Sequence, residues 1–106
     1  MSPAPDHSPA AAAAARAALV VAAARRSTLT HAELARALDL DGEGPPAERV
    51  QAVLDAVAAD CTRRGEPRLD ALVVDGESGR PGRGWGADEH TWPREVVRCH
   101  RWWAER

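Results

Sequence analysis

Apolar residues along this chain fall into short stretches whose spacing changes between successive clusters of turn-forming residues. Residues 10–26 are alanine-rich, the composition most favourable to helix. Their largest apolar side chains, Leu19, Val20 and Val21, lie near the C-terminal end, so that end is expected to dock on a core. Ser27-Thr28-Leu29 is short, β-branched and extended in character. Thr30-His31-Ala32-Glu33 has the form of a capping box, Thr at the N-cap and Glu three residues on. Leu34 and Leu38, one turn apart, give the helix it opens an apolar side. That helix should stop near Leu40, where Asp41-Gly42-Glu43-Gly44-Pro45-Pro46 is a cluster of breakers.

Pro46 suits the first turn of a third helix, spanning 46–64. In it Val50, Val53, Leu54, Val57, Ala58 and Cys61 recur at i, i+3, i+4, i+7, i+8 and i+11, one continuous stripe. Gly65 is a natural C-terminal stop, and Pro67 prevents continuation. Residues 69–75 read as a strand centred on Leu72, Val73 and Val74. Gly76, Gly79, Gly82, Gly84, Gly86 and Pro81 then make a long turn or loop, with a second short strand expected around Gly84-Trp85. A last helix runs toward Arg106, with Pro93 in its first turn and Thr91 as its cap. Val96, Val97, His100 and Trp103 are expected to share its buried side, with Cys99 and Trp102 on the edges. Residues 1–9, with Pro3, Pro5 and Pro9 and no periodic pattern, are expected to be disordered, leaving 10–106 as one domain.

Composition narrows the chemistry. The chain has 106 residues, 14 basic against 16 acidic, for a formal net charge of -2. Every basic residue is arginine, which excludes a P-loop lysine and a Schiff-base enzyme. Leu and Val supply the large aliphatics and four tryptophans add bulk, a core of marginal size. No run of 18 apolar residues exists, so no membrane span is expected. Residues 10–24 lack a basic flank and are interrupted by Arg16, which reads as a helix rather than a signal segment and implies a cytoplasmic location. Cys61 and Cys99 are expected as reduced, buried thiols.

The order helix, extended piece, helix, breaker, helix, strand, glycine-rich loop, helix is that of a small α+β winged helix-turn-helix, with the loop at 76–84 as the wing. Ser27-Thr28-Leu29-Thr30-His31-Ala32-Glu33-Leu34-Ala35 resembles the opening of the DNA-binding domain of alkylguanine-DNA alkyltransferases and alkyltransferase-like proteins. Pro67, then Leu72-Val73-Val74, then Gly79, Gly82, Gly84 and Trp85 resemble that domain's later segment, so the likeness covers about residues 27–103. It implies a DNA-binding winged helix. It does not extend to alkyl transfer, because Arg68-Leu69-Asp70 stands where the family carries its reactive Cys-His. The stretch from Leu69 to Trp85 also resembles a segment of small uncharacterised prokaryotic proteins.

On this reading the third helix and the wing meet a DNA duplex. Arg49 and Gln51 can read base edges. Arg63 and Arg64 at the helix end, and Arg80 and Arg83 in the loop, can meet phosphate. Glu48, Asp55 and Asp60 on the same helix oppose that, and a mixed face of this kind equally suits a protein partner, a larger enzyme or a second copy of the chain. The arrangement in space separates the two: arginines gathered away from Asp55 and Asp60 favour DNA, and interleaved acids favour protein. No enzyme constellation emerges. Asp70 and Asp75 would face opposite sides of a strand. Asp88-Glu89-His90 reads as a solvated helix start. Cys61, His90, Cys99 and His100 are zinc-type ligands without zinc-site spacing, so neither metal nor cofactor is expected.

Overall fold

The computed structural model describes residues 9–40, 42–82, 85 and 91–105. Four helices and a parallel two-stranded sheet make up the described chain. Helix α1 is Pro9–Ala24, strand β1 Leu29–Thr30, helix α2 His31–Ala37 and helix α3 Pro46–Arg64. A 3-10 turn, Leu69–Leu72, leads into strand β2, Val73–Val74, and helix α4 is Thr91–Ala104. The expected disorder of 1–9 falls on residues outside those described, except Pro9, which opens α1.

The third helix forms over the expected residues because its stripe buries Val50, Val53, Leu54, Val57 and Cys61 together. Fully burying such a side chain stabilises by roughly 1.5–3 kcal/mol. The capping box of α2 also forms. Thr30 Oγ1 accepts the Glu33 N–H at 3.0 Å, and Glu33 Oε1 accepts the Thr30 N–H at 2.9 Å.

Helices α1, α2 and α3 all end in the same double hydrogen-bonded turn, with the following residue left-handed. Gly65 fills that position after α3 with φ 68°, but Arg26 and Asp39 fill it after α1 and α2 with φ 54° and 55°. A side chain there is strained, less so for Asp than for most residues.

Three elements depart from expectation. The strand at 69–75 is a 3-10 turn over Leu69–Leu72, and only Val73 and Val74 are extended. Leu69, Asp70, Ala71 and Leu72 are all buried, so the segment has no exposed face to alternate with. An antiparallel bridge to Val74 comes at Pro81; of the expected strand around Gly84-Trp85, Gly84 lies outside the described residues and Trp85 is not extended. Asp75 causes the early return: its Oδ1 accepts the Glu77 and Ser78 N–H groups, Gly79 turns with φ 70°, and the Asp75 N–H meets the Arg80 carbonyl at 2.8 Å. β2 also pairs with β1, in parallel, Leu29 opposite Val73 and Thr30 opposite Val74.

The third departure is in α4. Its seam is Trp92, Glu95, Val96, Cys99 and Trp103, while Val97 is 48% exposed. The helix is rotated toward Glu95 because that carboxylate has a partner inside, as described below.

The core lies where α1 and α3 cross, with Leu19, Leu34, Val50, Val53, Leu69 and Leu72 fully buried. α2 packs on α3, and α4 packs on α1 and the 3-10 turn. Cys61 and Cys99 are both buried free thiols. Among the described residues no helix is long and apolar enough to cross a membrane.

Candidate interface surfaces

The outward face of α3 is the first candidate. Arg49 does not point to solvent as a base-reading residue. Its Nη1 donates to the Leu40 carbonyl at 3.2 Å, so it fastens the α2–α3 connection. Gln51 Nε2 donates to Asp55 Oδ1 at 2.8 Å. Arg63 Nη2 reaches Asp60 Oδ1 at 2.6 Å, and Arg64 Nε reaches Asp60 Oδ2 at 2.8 Å. The one carboxylate of Asp60 therefore engages both arginines at the helix end.

The N-terminal half of this face, where a recognition helix meets base edges, presents Glu48 and Asp55. Among the described residues neither carries an ion pair. The turn at 75–80 adds Asp75 and Glu77 around Arg80, whose own N–H donates to Ser78 Oγ. Arg83 lies outside the described residues. Among the described residues, acids are thus interleaved with Arg63, Arg64 and Arg80.

The outward face of α4 differs. Arg94, Arg98 and Arg101 fall at i, i+4 and i+7, one stripe along the helix. All three are exposed, with Val97 exposed among them. Arg98 Nη1 meets Glu95 Oε1 at 2.7 Å. Among the described residues no ion pair engages Arg94 or Arg101. Beside the stripe, Pro67, Arg98, Arg101, Trp102 and Glu105 line an open cleft of about 480 Å³. Sequence reasoning passed over these arginines, although their spacing was the available signal.

A part-buried cluster of polar contacts around Arg68 holds α4 in this orientation. The Arg68 guanidinium binds Asp70 through both oxygens, at 3.1 and 2.6 Å, and lies 4.1 Å over the ring of Trp85. The Arg68 N–H donates to Glu95 Oε2 at 2.7 Å, and Cys99 Sγ donates to the Arg68 carbonyl at 3.1 Å. Trp92 Nε1 donates to the Ala71 carbonyl at 2.8 Å. On the opposite edge Arg16 binds Glu66 at 2.7 and 3.0 Å and sits 5.5 Å over Trp103.

Every oxygen of Asp70 and Glu95 has a donor, so this acid pair is arranged to hold structure. Burial pushes the Asp70 carboxyl up, against the opposing pull of Arg68. Burial also pushes the Cys99 thiol up to about 12 and raises Cys61, so both stay protonated rather than nucleophilic. His31, buried at the start of α2, is pushed down by burial, with Asp75 pulling the other way. No three metal-ligating side chains converge among the described residues, and His90 lies outside them.

Comparison of the chain with protein-family models, curated proteins and solved structures finds no match.

Proposed function

We propose that this chain is a non-enzymatic protein-interaction module on a winged-helix-like scaffold. The observation that carries this is the pairing on α3. Asp60 binds Arg63 and Arg64, Asp55 binds Gln51, and Arg49 is turned back onto Leu40. A helix so occupied, with Glu48 and Asp55 at its leading half, repels phosphate. The element order and the short hairpin after β2 support the winged-helix reading of the scaffold. The engaged oxygens of Asp70 and Glu95 and the protonated thiols support the non-enzymatic reading.

Duplex binding through α3 and the turn is the second reading. It is favoured by the same element order and by the exposure of Arg80.

Two experiments separate them. Fluorescence anisotropy with a labelled random duplex, at low and at physiological salt, is expected to show no saturable binding. Arg80→Glu/Arg83→Glu runs alongside. Binding that weakens steeply with salt and collapses in the variant would overturn the interaction reading. A photo-crosslinker placed at Val97 in cells making the chain is expected to yield a discrete protein adduct. Nucleic-acid adducts there, or none at all, count against it.

A further inference from the structure

Among the described residues, charges without ion-pair partners lie on both outward helical faces, and they are opposite in sign. On α4 they are Arg94 and Arg101, seven residues apart, with the exposed Val97 between them. On α3 they are Glu48 and Asp55, also seven residues apart, with the small residue Ala52 between them. Seven residues of helix span about 10.5 Å, so both pairs have the same separation. A valine sits within one pair and an alanine within the other, which lets the two helices approach closely along their length.

We propose that the α4 stripe of one chain docks on the α3 face of a second copy. Arg94 and Arg101 meet Glu48 and Asp55, and Val97 packs over Ala52. The proposal rests on the interaction-module reading and names its partner. It also accounts for the charges that α3 leaves uncompensated: they are a complementary half rather than a flaw in a DNA-reading face. The contact joins two different faces of the chain, so it is heterologous. Unless it closes reciprocally or into a ring, it continues from copy to copy.

The test is sedimentation velocity of the full chain from low to high micromolar concentration, at low and high salt. Two charge reversals run beside it: Arg94→Glu/Arg101→Glu and Glu48→Arg/Asp55→Arg. Circular dichroism checks that each variant is folded. The wild type is expected to gain mass with concentration and return to monomer in high salt. Each variant alone is expected to stay monomeric, because its two faces then carry the same sign. Mixing the variants in equal amounts restores opposite signs and is expected to restore association.

A wild type that stays monomeric at low salt overturns the proposal, as does association that the reversals leave unchanged. A folded pair of variants that does not associate on mixing overturns it too. The outcomes also distinguish this proposal from the one beneath it. A monomer that still gives a crosslinked protein adduct at Val97 removes only the second copy as partner. Saturable duplex binding removes both readings.

Discussion

Helices α3 and α4 are both amphipathic and both rich in arginine, yet they present opposite surfaces. On α3 the acids stay outside with the arginines: Asp60 lies three and four residues before Arg63 and Arg64 and binds both. On α4 the acid turns inward. Glu95 accepts the Arg68 N–H with one oxygen and Arg98 with the other, and among the described residues no ion pair engages Arg94 or Arg101. The side on which a helix buries its acids therefore decides whether its arginines are available to a partner. A count of charges along the chain does not show this.

The sharpest way to break the comparison is to remove the inward acid. Glu95→Ala leaves the buried Arg68 N–H unsatisfied and is expected to cost about 3 kcal/mol. A urea unfolding curve should show a lower midpoint with an unchanged slope. Glu95→Gln keeps an acceptor and should cost about 1 kcal/mol. Equal losses in the two variants would mean that Glu95 acts through charge alone.

Removing the outward acid should matter far less. Asp60→Ala breaks exposed pairs and is expected to cost less than about 1 kcal/mol. A loss as large as that of Glu95→Ala would erase the distinction between the two helices.

A smaller effect, of opposite sign, is expected at the end of α2. Asp39 holds φ 55°, and Asp39→Gly should stabilise by about 0.5 kcal/mol. A rise in the thermal midpoint checks it, and a fall would show that the Asp39 side chain contributes a favourable contact.

The smallest expected effect is pH dependence from His31. Burial lowers its folded-state pKa, whereas the unfolded imidazole takes up a proton near its ordinary value. The stabilising contribution is therefore complete above the ordinary imidazole value and is lost as pH falls toward the folded-state pKa. Unfolding curves between neutral and mildly acidic pH should show this decline, and His31→Gln should flatten it.

Much of the fold was legible because its determinants are local. The α3 stripe, the Thr30–Glu33 box and the Gly65 stop each act within a few residues, and each forms as the pattern predicts. The 3-10 turn was not legible, because Leu69–Leu72 is buried throughout and has no period to read. The seam of α4 was missed for a different reason. A glutamate reads as a surface residue, and the donor that draws Glu95 inside is Arg68, 27 positions earlier in the chain. The turn closed early because the Asp75 side chain caps it and Gly79 supplies its left-handed residue.

For the candidate surfaces, the spacing of Arg63 and Arg64 from Asp60 was visible, and so was the spacing of Arg94, Arg98 and Arg101. What the sequence could not show was that the first set would be paired while Arg94 and Arg101 find no acid among the described residues.

The most direct test of that difference is side-chain NMR of the arginine Nε–H groups during titration with inorganic phosphate. We expect Arg94 and Arg101 to shift, and Arg49, Arg63 and Arg64 to hold the positions set by their partners. Shifts concentrated at Arg63 and Arg64, with Arg94 and Arg101 unmoved, would contradict the assignment of the available surface to α4.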